Sequence, residues 1–316
     1  MITTVTTEDE LVESVRYAAD NNLKLLSLGY GSNIVFRDGG FDGLIILNRI
    51  TGYNFDKNSG LLKVNSGENW DKMVDLAVSD NWCGIESLSY IPGTAGAAPI
   101  NNIGAYGQEL KDTLVGVRAY DIANQKFVEF SNSQCDFSYR NSRFKAADWG
   151  RYVISQITLQ LKPVPDDYQI PSYKALTDQL AKEGITKPKP KDIRGALKII
   201  RASKLPDPSK LANTGSFFKN PTVSKEKAAS LSTLYPSLPL YNQPDGSIKV
   251  AAGWLIDNAG LKNYRQNGMW VYDQQALVLV NESAKSFNDL QAMYKHIIDV
   301  VDNKYNIKLE PEPEIV

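Results

Sequence analysis

Residues 84–110, GIESLSYIPGTAGAAPINNIGAYGQEL, carry few periodic signals and many Gly, Pro, Asn and Ala residues, yet they lie between segments whose patterns are regular. A long irregular run inside a compact domain is uncommon, and where it occurs it is usually functional. Whatever fold the chain adopts must therefore carry this segment on its regular elements. Ahead of it, Asn69 caps a helix bearing Trp70, Met73, Val74 and Ala77, and behind it strands are expected at 115–121, 126–130 and 152–161.

The first element reads as a helix, because Thr7 and Glu10 form a capping box ahead of Leu11, Val15, Ala18 and Ala19. A strand over 23–28 runs into Gly29-Tyr30-Gly31-Ser32-Asn33, and short β-rich segments follow at 34–36, 44–47 and 61–64, so the opening is an α+β unit. Pro163-Val164-Pro165 closes the first block, which places a change of architecture near residue 165. Beyond it, helices are expected at 172–183, 192–203, 224–235, 254–259 and 286–303, with an apolar strand at 276–280. KPKPK at 187–191 reads as a solvated, proline-stiffened linker.

Composition narrows the function classes. The 316 residues are 42% hydrophobic and 22% charged, the balance of a soluble globular chain of more than one domain. A formal net charge of −1 leaves no basic field for nucleic acid or an acidic membrane surface. The N-terminus MITTVTTEDE is acidic where a signal peptide is basic, and no apolar run approaches the roughly 20 residues of a membrane span, so a cytoplasmic protein is expected. Cys83 and Cys135 are the only cysteines and read as buried free thiols, and with His296 the only histidine no metal site is expected. His296 falls in the helical pattern of Leu290, Met293, Tyr294, Ile297 and Ile298, where it reads as a residue on a surface or core-edge helix.

Three groups of residues carry candidate chemistry. In Gly29-Tyr30-Gly31-Ser32-Asn33 the glycines let backbone approach a ligand and aim N–H groups at phosphate oxygens. It lacks the spacing of a Rossmann fingerprint and by itself reads equally as a simple turn. The run from Pro92, Gly93 and Thr94 through Gly96, Ala97, Ala98, Asn102, Gly104, Ala105 and Tyr106 has small side chains against which a flat ligand can lie, with Thr94 and Asn102 offering polar contacts. Together the two segments suggest a flavin or a dinucleotide held by loops. The third group is dispersed: Arg140 in YRNSRF can fork onto a carboxylate, Ser216 in NTGSFFKNP can deliver a proton, and Glu312 in LEPEPE can hold or relay charge. The same residues also suit a salt bridge, a turn serine and a surface glutamate.

IPGTAGAAPINNIGAYG, YRNSRF, KLPDP at 204–208, NTGSFFKNP, AAGWLIDNAGLK at 251–262, QQALVLVN at 274–281 and the terminal LEPE stand in an order that, over nearly the whole chain, resembles the UDP-N-acetylenolpyruvoylglucosamine reductase (MurB) family. The resemblance implies the α+β FAD-binding fold of the vanillyl-alcohol oxidase (PCMH) type with an additional α+β substrate-binding domain. The expected division is residues 1–205, joined by 306–316, for FAD and residues 206–305 for substrate. It also implies FAD as cofactor, with residues 29–33 and 92–107 around its pyrophosphate and isoalloxazine, and NADPH as co-substrate.

In the implied reaction NADPH reduces FAD, then enolpyruvyl-UDP-N-acetylglucosamine takes hydride from the flavin onto its C3 carbon and a proton at C2, giving UDP-N-acetylmuramate for peptidoglycan precursor synthesis. Arg140 and Glu312 match the positions that stabilise the enediolate charge, with Glu312 protonated or sharing a proton, and Ser216 matches the proton donor. Tyr173 matches the tyrosine of the inserted loop in the family's first type. It falls with Lys204, Asn220, Tyr241, Lys262 and Gln275 where the family contacts the UDP-sugar.

Two departures stand out: GYGSN where many relatives have GGGSN, and Thr214 where alanine is commoner. A flavin oxidase of the same fold and a nucleotide-sugar-binding protein without turnover are the competing readings. No protein partner is indicated, and a monomer is expected.

Overall fold

The computed structural model describes residues 1–171, 173–243 and 245–316. The chain forms two compact units, one of residues 1–32 and 41–201 and the other of residues 33–40 and 202–316. The boundary expected after residue 205 thus falls after residue 201. Residues 306–316, expected to return to the first region, belong to the second unit. Strand Glu314–Ile315 pairs in parallel with Ile34–Val35, and Arg37 N donates to Val316 O at 2.7 Å, but residues 33–40 are themselves part of that second unit.

In the first unit, strands Ile2–Val5, Leu44–Asn48 and Leu25–Leu28 form a parallel sheet with Leu44–Asn48 in the middle. Helix α1 (Glu8–Asp20) buries Leu11, Val15 and Ala18 in a cluster with Val5, Leu44, Ile46, Tyr120 and Val153. Its cap departs from the expected box. Thr7 Oγ1 accepts from Glu10 N at 3.1 Å, but the Glu10 carboxylate takes the N–H and hydroxyl of Thr6 at 2.6 and 2.8 Å. The strand Ile2–Val5 escapes a reading from sequence because only Val5 is buried, so no alternation marks it.

The second sheet of this unit is antiparallel, in the order Lys126–Ser131, Leu114–Asp121, Tyr152–Gln160, Leu61–Asn65 and Tyr53–Asp56. Helix α2 (Trp70–Ser79), capped by Asn69 Oδ1 on Lys72 N at 2.9 Å, lays Trp70, Met73, Val74, Ala77 and Val78 into its core. Cys83 and Cys135 are buried free thiols, and burial pushes the Cys135 thiol up to about 12. A smaller cluster is built by helices α3 (Lys174–Lys182) and α4 (Pro190–Lys204) around Leu176, Leu180, Ile193, Leu197 and Ile200, with Tyr106 and Tyr168 packed on it. Ser172, where the first of these helices was expected to begin, lies outside the described residues. Pro190 and Lys191 open α4 and are not linker: proline is tolerated in a first helical turn, where its missing N–H has no use.

The second unit holds two three-stranded antiparallel sheets, one of Thr222–Val223, Ile248–Val250 and Leu240–Asn242, the other of Arg265–Gln266, Met269–Val271 and Leu279–Asn281. Helices α5 (Lys225–Leu234), α6 (Ala252–Asn258) and α7 (Phe287–Tyr305) cover a core centred on Phe217, Phe218, Leu255, Ile256, Met293 and Ile297. His296 stacks on Tyr264, with ring centroids 4.9 Å apart, on the partly buried side of α7.

Candidate active site

The first unit assembles a cradle from two loops. Residues 29–32 leave the end of strand Leu25–Leu28, and residues 92–98 follow the irregular run after α2. An isolated bridge ties Thr94 to Asn69, with Trp70 N donating to Gly93 O at 3.1 Å and Ala95 N to Glu68 O at 2.9 Å. Gly96 N donates to Ser66 O at 2.9 Å, and a Cβ on Gly96 would stand 2.5 Å from Ser66 Cβ, so only glycine permits this approach. The loops touch: a Cβ on Gly29 would stand 2.4 Å from Thr94 Oγ1, and Ser32 Oγ donates to Pro92 O at 3.3 Å. Gly31 and Gly93 take φ of +70° and +129°, conformations that L side chains rarely adopt. Asn33, at the end of the first loop, belongs to the second unit, where its carbonyl accepts from Glu314 N at 3.1 Å.

Among the described residues the backbone N–H groups of residues 29–32 and of Gly93 and Thr94 donate to no protein acceptor. Backbone donors are obligatory hydrogen-bonding groups, so this cluster is built to serve solvent or a ligand. Runs of such N–H groups beside glycines form anion-binding concavities, which is the donor set a diphosphate needs. The residues that follow, Ala95, Gly96, Ala97 and Ala98, are small, with Ala95 and Ala98 buried and Gly96 and Ala97 half-buried. The residues present therefore fit FAD.

The rest of the second loop is organised differently from the expectation. Asn102 is fully buried. Its Nδ2 donates to Glu109 Oε2 at 2.9 Å and Ser138 O at 3.2 Å, and its Oδ1 accepts from Lys111 N at 3.1 Å. The side chain expected to contact cofactor is thus spent in knitting residues 102–111 to the segment that carries Arg140. Gly104–Ala105 and Gln108–Glu109 form a hairpin with Tyr106 and Gly107 at φ +50° and +88°. Arg140, itself at φ +53°, donates from Nη2 to Gly104 O at 2.6 Å, so the predicted arginine is brought against the predicted cofactor loop. The Tyr106 ring meets Tyr173 edge to face at 5.1 Å. Burial raises the Tyr106 phenol's pKa, opposed by the charge of Arg201 and its hydrogen bond.

In the second unit, residues 216–219 run between two other segments. On one side Ser216 bridges Val278 and Phe217 N donates to Leu277 O at 2.7 Å. On the other, Glu312 N donates to Phe217 O at 2.8 Å, Phe218 bridges Pro311, and Lys219 N donates to Glu310 O at 3.0 Å. Phe217 and Phe218 anchor this ply in the core, each 1% exposed, while Ser216 and Glu312 stay partly exposed. Gly215, at φ +74°, donates to Asn213 Oδ1 at 2.8 Å, which turns the chain into Ser216. The two predicted catalytic side chains of this unit thus sit on adjacent antiparallel segments, although 95 positions lie between 216 and 312 in the sequence.

Asn220 and Gln275 join the same region. Asn220 Oδ1 accepts from Ala252 N at 2.9 Å, at the start of α6, and a Cβ on Gly253 would stand 3.0 Å from Gln275 Oε1. The other predicted substrate contacts are more peripheral. Lys262 pairs with Asp257 at 3.2 Å, Lys204 is exposed at the end of α4, and Tyr241 is exposed opposite its cross-strand partner Lys249, whose ammonium lies 5.8 Å from the ring centroid. Sequence reasoning missed Arg49, which grips the cradle from behind. The only signal was an arginine placed directly after the apolar strand LIILN.

Residues 1–131 match the family profile described as FAD binding domain. With the donor cradle and the two α+β units, they define a flavoprotein of the α+β flavin-binding type. Residues 207–316 match the profile described as UDP-N-acetylenolpyruvoylglucosamine reductase, C-terminal domain. The chain is 41% identical to the UDP-N-acetylenolpyruvoylglucosamine reductase of Ralstonia nicotianae over 97% of its own length and 91% of that protein. It is 43% identical to that of Neisseria gonorrhoeae over 96% of its length and 88% of the relative. This chain belongs to the UDP-N-acetylenolpyruvoylglucosamine reductase family. The crystal structure of UDP-N-acetylenolpyruvylglucosamine reductase from Thermus caldophilus, 22% identical, shares its fold with a TM-score of 0.68, covering 99% of this chain and 91% of that one.

Proposed function

We propose that this chain reduces enolpyruvyl-UDP-N-acetylglucosamine to UDP-N-acetylmuramate, with FAD as cofactor and NADPH as reductant. The observation that carries the reading is the ply of residues 216–219, which sets Ser216 and Glu312 on neighbouring segments. Membership of the family supports it and does not favour the oxidase alternative.

FAD, when bound, would supply the hydride chemistry of the reduction, with NADPH as its reductant. Residues 29–32, 93 and 94 would hold its diphosphate with main-chain donors, and residues 95–98 and 104–106 would lie along its ring system. Arg140 and Glu312 hold the substrate carboxylate, where negative charge builds as hydride arrives, and preorganised donors there lower the barrier most. The Ser216 hydroxyl delivers a proton at C2, and general-acid steps of this kind contribute about 10²–10⁴ in rate. Tyr173, Lys204, Asn220, Tyr241, Lys262 and Gln275 contact the UDP-sugar, the lysines as point charges for phosphate oxygens.

The finer readings are a monomer, for want of a long heptad seam in the sequence, working in the cytoplasm on small molecules, since the near-neutral charge leaves no basic field for nucleic acid or an acidic membrane surface. Among the described residues no helix is long and apolar enough to cross a membrane.

The test is anaerobic stopped-flow spectroscopy: flavin bound to the purified protein is reduced with NADPH, and enolpyruvyl-UDP-N-acetylglucosamine is then added while absorbance near 450 nm is followed. Rapid reoxidation by that substrate is expected. Flavin that stays reduced until air is admitted would make the protein an oxidase instead.

A further inference from the structure

The main-chain donors of the cradle point outward only if the peptide units that carry them are turned the right way, and one side chain controls the first of these units. Arg49 follows strand Leu44–Asn48, and its backbone is fixed twice. Arg49 N donates to Val5 O at 2.8 Å, and Gly67 lies so close that a Cβ there would stand 2.5 Å from Arg49 C. From this platform Nη1 donates to Gly29 O at 3.0 Å and to Asn48 O at 2.9 Å. The guanidinium also lies over the Tyr30 ring, 5.1 Å from its centroid, and that ring is 48% exposed.

A trans peptide is planar, with its C=O and N–H pointing in opposite directions. Holding the Gly29 carbonyl toward Arg49 therefore turns the Tyr30 N–H away from it. Thr94 Oγ1 fills the space beside Gly29 and leaves no room for the residue to move that way. We infer that Arg49 is the positioning residue of the diphosphate cradle: it sets the orientation of the Gly29–Tyr30 peptide, and Tyr30 shields it, so that this chain's hold on FAD depends on a side chain that need not touch the cofactor. The inference rests on the flavoprotein reading above. Arginine suits the task because Nη1 serves both carbonyls while the planar guanidinium lies over the Tyr30 ring, whereas a lysine ammonium is a flexible point donor without a planar face.

The experiment uses the FAD-loaded protein and its Arg49→Met, Arg49→Lys and Tyr30→Gly variants. Flavin release on dilution is followed by fluorescence, with the phosphorus-31 spectrum and the visible absorption of the bound cofactor recorded in parallel. Arg49→Met is expected to release FAD at least about tenfold faster, with shifted diphosphate resonances and an unchanged visible band. Arg49→Lys should recover part of that loss, and Tyr30→Gly should show a smaller change of the same kind. Release within about twofold of the parent in Arg49→Met would overturn the proposal. So would faster release with unmoved phosphorus resonances, which is the signature of a general loosening. A parent protein that binds no FAD would overturn the flavoprotein reading on which it rests, an outcome distinct from either.

Discussion

Residues 29–32, 93 and 94 of the first unit offer main-chain N–H groups, and at Gly29 the neighbouring Thr94 leaves no room for a side chain. In the second unit Ser216, Glu312 and Gln275 offer side chains from three plies whose backbones are already paired to one another. The difference follows from what each has to do. A diphosphate is recognised by many equal donors converging from close range, which side chains would obstruct, whereas proton delivery needs one group of one chemistry at one place. The two sites should therefore fail in different ways: the first when anything is added, the second when a particular atom is removed.

The largest effect is expected from Ser216→Ala, which should lower the rate of flavin reoxidation by substrate about 10²–10⁴-fold while flavin content and thermal stability stay at the parent level. Rapid-mixing kinetics on the loaded variant checks this. A loss of flavin instead would erase the contrast between the units.

Gly29→Ala should do the opposite. Its methyl group would meet Thr94 Oγ1, and overpacking of this kind costs about 1–3 kcal/mol. Poor flavin retention should accompany that loss of stability, and Thr94→Ala in the same chain should restore part of both. Denaturant unfolding with a flavin assay reads the two quantities. Of similar size should be the loss on Arg194→Met, which removes the paired hydrogen bonds to Asp71 at 2.6 and 3.0 Å and one to Asp75, and so detaches α4 from α2 at a cost of about 1–3 kcal/mol.

The smallest effect concerns acid. Glu8 is pushed up by burial, but the hydrogen bonds from Arg118 and Ser155 and the charge of Arg118 outweigh this and hold its carboxyl below the usual range. Burial likewise acts upward on Asp121, and Arg151 and Asn124 bring it below. A depressed carboxyl stabilises the fold above its unfolded pKa, about 4, and that contribution is lost as pH falls through the lower folded value. Melting temperature should therefore drop on acidification below about pH 4, and Glu8→Gln with Asp121→Asn should flatten that decline without changing it near neutrality.

Local pattern carried a good part of this molecule. Thr7, Asn69 and the spacing of Leu11, Val15 and Ala18 mark α1 and α2, and the alternation of Leu62 and Val64 with Lys63 marks a half-buried strand. Of the short strands within residues 202–316 only Leu279–Asn281 was announced, by the apolar run at 276–280, because a ladder of two or three residues has no period to detect. In the site, the glycines of residues 29–31 and 93–96 and the motif around Ser216 were readable as chemistry. Asn102 was misread, since an amide in a loop gives no sign of whether it faces a ligand or, as here, bonds Glu109, Ser138 and Lys111 inside the fold.

The sequence by itself determined the residue types at each site, small ones where backbone must be approached and a hydroxyl, a guanidinium and a carboxylate where charge and protons move. Its motifs also determined the family, because long ordered matches survive without any knowledge of contacts. Only the tertiary structure decided that residues 306–316 join the second unit through Ile34–Val35, that Phe217 lies between Leu277 and Glu312, and that Arg49 turns the Gly29 peptide. The first two are pairings between distant parts of the chain made by backbone groups that every residue shares, and so they leave no mark on residue identity; the third needs an arginine, but its partner is a carbonyl that any residue would offer.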